Sequence, residues 1–352
     1  MKLKTQCINL KNMEIVKPYA ELWNFPNDIL TVKCAQLCYA SEKPPVNINN
    51  WLEEKWKNGH KSIFRHATYY YVIPCINVNE ILRGFFKNNP YIGYYENDEF
   101  VFVSINGQTY REYKFIEHLN RYKSSEIGLL NLCNTEKDKQ EVTKILRKTV
   151  LVQTQISTSR ELNRTSPNNI CEQSTRFCNF TQEKFNGEVK LCQPHWLYLL
   201  GPDTDNCFIK YNGEYNIIDV YTKDMKPYTT IGPTNNNICI INDDKYNSFV
   251  FDYLDTIIYS TDKYNKSVKC GIPPQDSRGV LPLDTATRVA YTYRIEEWAH
   301  ILELRYYGTT GKPHPNAKIS ANQIREVLNS VLPEIDEAFG IEYFPENYDE
   351  IF

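Results

Sequence analysis

A helix that enters residues 160–177, RELNRTSPNNICEQSTRF, has to stop before it leaves them. Pro167 disfavours α geometry at Ser166, and Ser-Pro-Asn-Asn supplies turn chemistry. The chain must change course between Arg164 and Ile170, with charge on both sides of the bend. A helix running to Arg164 sets Arg160 and Arg164 four apart on one face, with Glu161 beside them. An extended segment after the bend projects Glu172, Ser174 and Arg176 from one face. One carboxylate, one hydroxyl and two guanidiniums then converge. That set suits an anion, because the planar guanidinium fork binds phosphate oxygens bidentately. The plain alternative is a surface loop with local ion pairs, Glu172 to Arg176 for instance. Cys171, Phe177, Cys178 and Phe180 weigh against it by suggesting a partly buried strand, where an arginine needs a partner.

The rest of the chain limits the anion. The formal net charge is -3 over 352 residues, so no global basic field recruits nucleic acid. A composition of 41% hydrophobic and 24% charged residues is an ordinary globular mix with enough length for a sizeable core. Length alone suggests about two domains. The absence of repeats and low-complexity linkers favours one domain over 1–352, with insertions at about 86–137 and 197–270. The opening segment, MKLKTQCINLKNMEIVKPYAELW, lacks the apolar core of a signal peptide. No run approaches the ~18 apolar residues of a membrane span. The expectation is a cytoplasmic protein with no membrane partner. The 11 cysteines are odd in number and form no C-x-x-C pair. Cys34 and Cys38 can share a helix face, but no His pair stands nearby. Reduced, mostly buried thiols and no metal are expected.

Local patterns give the class. Residues 27–42 begin Asn-Asp and have helical spacing, and 49–59 read as a helix closed by Asn58-Gly59. HATYYYVI (66–73) reads as a buried strand. Asn-Gly pairs in DEFVFVSINGQTYREY, KFNGEVKLC and CFIKYNGEYNIIDVY each predict a hairpin. Residues 139–164 read as one long helix, with Val142, Ile145, Leu146, Val150 and Val152 among its apolar positions. About 200–265 is polar and hairpin-like. LDTATRVAYTY (283–293) reads as a strand, and 295–307 and 323–335 as helices. The fold class is α/β (α+β), a mixed, mostly antiparallel sheet packed with helices.

Five ordered blocks carry a family resemblance. The motif RHRxxSxNExSxR of the flavin-dependent thymidylate synthases is similar to 164–176, with its first Arg on Arg164, its Glu on Glu172, its second Ser on Ser174 and its last Arg on Arg176. CAQLCYASE resembles the family's early helix. GHKSIFRHATYYYVI resembles GHxSxxEHxxFxF, with the histidine on His66. SRGVLP resembles ARxVLP, with its Arg on Arg278, and EEWAHILELR resembles xxWRHFFxLR, ending on Arg305.

The resemblance implies that family's fold and activity: reductive methylation of dUMP at C5 to dTMP, with methylenetetrahydrofolate as carbon donor and NADPH-reduced FAD as hydride donor, in a homotetramer with shared active sites. It implies Glu161, Arg164, Glu172, Ser174, Thr175, Arg176, Arg278 and Arg305 as substrate-binding residues. Among these, Ser174 would orient the pyrimidine and Arg305 would favour loss of the uracil N3 proton. His66, Thr68, Arg164, Thr165, Arg294 and His300 would lie at the flavin. The sequence departs on that side. Arg164-Thr165-Ser166 replaces Arg-His-Arg, Cys171 stands at the motif Asn, and the Glu before the flavin His is Arg65. Arg65 and Arg294 are the candidate substitutes for the missing charge. The departure keeps two other readings open: C5 hydroxymethylation of dUMP or dCMP, and nucleotide binding without catalysis.

Overall fold

The computed structural model describes residues 13–41, 43–165, 169–182, 189–197, 207–212, 217–232 and 244–332, apart from the side chains of 229 and 244–248. They form two compact units. The described residues of Met1–Tyr19, Gln153–Arg160 and Gln173–Arg288 make the first, and those of Ala20–Val152, Glu161–Glu172 and Val289–Phe352 the second.

In the first unit five strands lie in the order Pro227–Ile231, Ile217–Thr222, Cys207–Asn212, Met13–Val16, Leu191–Cys192. Cys207 and Ile209 alternate with Phe208 and Lys210, and Ile218 and Val220 with Asp219 and Tyr221, so one face is apolar. Val250, Leu254, Ile257 and Ile258 cover that face as one stripe of the helix Asp244–Lys269. The hairpin expected around Asn212-Gly213 is present, with Cys207 opposite Thr222 and Asn212 opposite Ile217. The hairpin-like reading of 200–265 fails beyond it, because residues 244–269 are helical. Polar residues fill the exposed faces of this helix and hide its apolar stripe. The turn of KFNGEVKLC lies outside the described residues.

The second unit has a four-stranded sheet ordered Ile92–Glu96, Phe100–Asn106, Thr68–Pro74, Lys123–Ser124, with antiparallel pairing throughout. The segment 86–137 therefore supplies three of its four strands, all but Thr68–Pro74. The parts of Tyr19–Leu22, Arg147–Gln155, Ala286–Arg294 and Ile170–Glu172 in this unit are ordered so in another sheet. Trp298, Tyr291, Tyr293, Val150 and Val152 are among the residues centring the core. Trp298 is wholly buried, and its indole N–H donates to the Lys148 carbonyl at 3.1 Å. Truncating such a side chain to Ala costs about 3–5 kcal/mol.

Two expectations are overturned here. The helix read over 139–164 is instead a helix Glu136–Ile145, a strand Arg147–Gln155 and a helix Ile156–Asn163. Leu146 turns the chain extended, at φ -62 and ψ 146. The strand is buried on both faces, so its apolar run lacks the alternation that separates strand from helix. Asn106-Gly107 makes no hairpin. The Asn106 side chain caps the helix Gly107–Glu112, accepting from Thr109 N at 2.8 Å. A Cβ on Gly107 would stand 2.6 Å from the Phe64 carbonyl oxygen, so this glycine serves close packing. The actual hairpin lies upstream, where Asn97 Oδ1 accepts from Glu99 N and Phe100 N.

The helix over 27–42 is Asn27–Tyr39, but Asn27 does not cap it. Its amide instead brackets Thr68, donating to the carbonyl at 2.7 Å and accepting from the N–H at 2.8 Å. Other helices include Ile48–Lys57, Glu80–Asn88, Ile295–Leu302 and Pro315–Asn329, with a π-helical turn over Glu303–Tyr307. Among the described residues no helix is long and apolar enough to cross a membrane.

Candidate functional site

The bend that opened the sequence reading builds one group of side chains in each unit. In the second unit the helix Ile156–Asn163 ends at the turn of Arg164 and Thr165. Thr165 closes it, its N–H and hydroxyl both donating to the Leu162 carbonyl, at 3.2 and 2.6 Å. Ser166, Pro167 and Asn168 lie outside the described residues. Arg305, on the π-helical turn, donates from Nη2 to the Glu161 carbonyl at 3.0 Å. Its Nε is buried without a hydrogen-bond partner among the described residues. Asn163 Oδ1 accepts from the Tyr291 hydroxyl at 2.8 Å, and its Nδ2 reaches Glu172 at 3.5 Å. Burial pushes the Tyr291 hydroxyl well above its usual range, so it stays a donor. Glu161, Asn163, Glu172, Tyr291 and Arg305 are thus linked near one helix end. Asn163 and Tyr291 were not singled out from sequence. Asn163 adjoins the motif Arg, and Tyr291 looked like any strand aromatic.

In the first unit residues 174–178 form a turn, contrary to the extended reading. Phe177 N and Cys178 N both donate to the Ser174 carbonyl, at 3.2 and 2.8 Å. Ser174 Oγ accepts from Arg176 N at 3.3 Å, which holds the hydroxyl inside the turn. Buried Cys178 and Phe180 anchor it, and Phe180 meets the Tyr264 ring edge-on at 5.8 Å. Arg278 Nη1 donates to Thr175 Oγ1 at 3.1 Å. Arg176 and Arg278 are both exposed, and the Thr175 contact holds Arg278 to the turn that carries Arg176. Phe177 is exposed and lies beneath the Arg176 guanidinium at 5.4 Å. Both guanidiniums face water, where an anion can reach them without rearrangement of the core.

The residues aligned with flavin contacts behave differently. His66 is fully buried, with Nδ1 2.7 Å from Thr292 Oγ1, and that hydroxyl 2.7 Å from Thr149 Oγ1. His66 Nε2 is buried without a partner among the described residues. Burial, then the Arg147 and Arg65 charges, lower the imidazole to about 3, so it is neutral at pH 7. Arg147 is also buried, and desolvation lowers it to about 10, leaving it charged. It donates to Thr68 Oγ1 at 3.1 Å and to the Arg65 carbonyl at 2.7 Å. Arg294 is engaged by Glu297 at 3.2 Å and Glu296 at 2.9 Å, and donates to the Ile92 carbonyl at 3.2 Å. Gly93 admits that close approach, since a Cβ there would lie 3.1 Å from Arg294 Cδ and 2.4 Å from Ser104 Oγ. Arg65 Nε donates to Gln108 at 2.6 Å. Arg164 and His300 are exposed, His300 standing 3.3 Å from Glu303. Among the described residues no cluster of His, Cys, Asp and Glu could hold a metal ion.

Comparison with known proteins adds a family. The family model described as "Thymidylate synthase complementing protein" matches residues 92–334. A "Probable flavin-dependent thymidylate synthase" of Paramecium bursaria Chlorella virus 1 is 33% identical over 79 residues, 22% of this chain and 35% of the relative. The match thus spans about a third of that relative's length. Two crystal structures of a UMP/dUMP methylase PolB from Streptomyces cacaoi, bound with 5-Br dUMP or 5-Br UMP, are similar at TM-score 0.40 and 15% identity. Each alignment covers 93% of this chain, and 96% or 95% of the solved chain respectively.

Proposed function

The chain belongs to the thymidylate synthase complementing protein family, and from that premise we propose that it converts dUMP to dTMP by reductive methylation at C5. The observation that carries the reading is that the matched span 92–334 contains Arg164, Glu172, Ser174, Arg176, Arg278 and Arg305. The exposed guanidiniums of Arg176 and Arg278 suit the dianionic phosphate of a nucleotide. Arg305 suits the uracil. Its buried Nε has hydrogen-bonding capacity to spare, and a guanidinium beside N3 stabilises the anion left when that proton departs. Glu161 and Glu172 add polar groups in the unit of Arg305, Thr175 adds one in the unit of Arg278, and Ser174 would orient the pyrimidine. The name of the viral relative supports a flavin.

Bound FAD would supply the hydride, NADPH would reduce it, and methylenetetrahydrofolate would supply the carbon. Exposed Arg164 and His300 have the chemistry to hold an anionic dinucleotide, with Thr165 beside Arg164. Arg294 is a poorer fit, since two carboxylates already neutralise it. His66 and Thr68 would act from the interior by fixing the start of the strand Thr68–Pro74. The enzyme would act in the cytoplasm as a homotetramer with shared sites. The altered Arg164-Thr165-Ser166 triplet favours one second reading, C5 hydroxymethylation of dUMP or dCMP. Product mass after incubation with dUMP, methylenetetrahydrofolate, NADPH and FAD tests the proposal. A gain of one CH2 is expected. A gain of CH2O on dUMP, or on dCMP in a parallel incubation, supports the second reading, and no change in either nucleotide overturns both.

A further inference from the structure

Cys171 lies one residue before Glu172, on the strand Ile170–Glu172, opposite Ala290. The helix Asn27–Tyr39 packs on this strand. Cys34, Leu37, Leu151, Cys171 and Ala290 share one core, with Cys38 packed against it. Cys34 and Cys38 are one helical turn apart, and Cys38 packs against the core that holds Cys171, where the two thiols influence each other's titration. All three are free thiols. Their access differs, because Cys34 and Cys171 are buried and Cys38 is partly exposed. Two thiols from different elements therefore meet in one packed core, and Cys38 is partly exposed.

We propose that Cys38 and Cys171 form a site of reversible oxidation by hydroperoxides, which closes to a disulfide tying the helix Asn27–Tyr39 to the strand that ends in Glu172. Cys38 is the attacking thiol. The hydrogen bond from Cys171 lowers it, against the opposing effects of burial and the Glu172 charge. Cys171 is pushed well above the usual range by the same hydrogen bond and by burial, and burial raises Cys34 likewise. Lys33 beside Cys34 and Arg65 beside Cys171 are the cations that face the cluster.

In the first step the Cys38 thiolate attacks the hydroperoxide. An S–O bond forms, the O–O bond breaks, and the leaving oxygen takes up a proton as an alcohol, or as water when the oxidant is hydrogen peroxide. In the second step the Cys171 sulfur attacks the sulfenic acid. An S–S bond forms, the S–O bond breaks, and water leaves with the Cys171 proton. Two thiols lose two electrons and the peroxide gains them. The product would pin Cys171 beside Glu172, whose carboxylate meets Asn163.

The test uses the full chain, reduced, then exposed to hydrogen peroxide, blocked with a maleimide and digested without reductant for mass spectrometry. The expected result is a peptide pair joined between Cys38 and Cys171, with loss of two maleimide-reactive thiols and recovery of both on adding dithiothreitol. Cys34→Ser should keep the link and Cys38→Ser should lose it. Cys171→Asn should leave Cys38 as a sulfenic acid that dimedone traps. A Cys34–Cys38 link, or maleimide on both Cys38 and Cys171 after peroxide, overturns the proposal. The wild-type arm decides the matter even if a variant fails to fold.

Discussion

Two sets of arginines in this chain live under opposite conditions. Arg176 and Arg278 stand in water, and the hydroxyl of Thr175 holds Arg278 to the turn that carries Arg176. Arg147 and Arg294 are buried or half-buried and already hold hydroxyl, carbonyl or carboxylate partners. The difference separates the proposed anion grip from the scaffold. A guanidinium with water as its partner exchanges that water for phosphate at little cost, whereas a satisfied interior guanidinium gives up protein contacts to meet a ligand. Motif position alone cannot make that distinction, because Arg294 aligns within a site and is nevertheless neutralised.

The comparison breaks first at Arg147. Arg147→Ala removes a buried stem and leaves Thr68 Oγ1 and the Arg65 carbonyl without their donor. A loss of about 3–5 kcal/mol in unfolding free energy is expected in urea titration. A loss below about 1 kcal/mol would place Arg147 with the exposed set. Arg176→Ala should do the reverse. It should weaken dUMP binding by about 2 kcal/mol, roughly 30-fold, and leave the urea midpoint unchanged.

His66 sharpens the interior side through pH. Its folded value of about 3 lies below the ordinary 6.5. The unfolded chain therefore binds the proton first as pH falls. The stability contribution is intact above pH 6.5 and is lost progressively down to about 3. Between pH 7 and 5 the loss is about 2 kcal/mol, and His66→Asn should flatten that slope in urea titrations at several pH values. An unchanged slope would mean that His66 is hydrated and open to ligand. The smallest expected effect is at Thr175. Thr175→Ala frees Arg278 from the turn and should weaken dUMP binding by about 0.5–1 kcal/mol in calorimetry.

Much of the fold was legible where local chemistry is unambiguous. The helix read at 49–59 is Ile48–Lys57, closed at Asn58 as expected though capped at its start by Asn47, and the Cys207–Asn212 hairpin follows strict alternation. The strand Arg147–Gln155 was hidden because burial on both faces erases its period, so Val142, Ile145, Leu146, Val150 and Val152 fit a helix equally well. At the site, residue identity was more legible than geometry. Glu172, Ser174 and Arg176 stood out by charge and spacing, but the turn at 174–178 depends on hydrogen bonds to the Ser174 carbonyl that no side-chain pattern announces. Asn163 and Tyr291 escaped notice because their mutual hydrogen bond joins residues 128 apart in sequence.

The proposed phosphate site is Arg176 on the 174–178 turn together with Arg278. Calorimetric titration of the wild-type chain with dUMP and with deoxyuridine, the same nucleoside without phosphate, tests it most directly. dUMP should bind at least about 100-fold more tightly than deoxyuridine, since charge-assisted bidentate contacts are lost with the phosphate. Equal affinity for the two would contradict it.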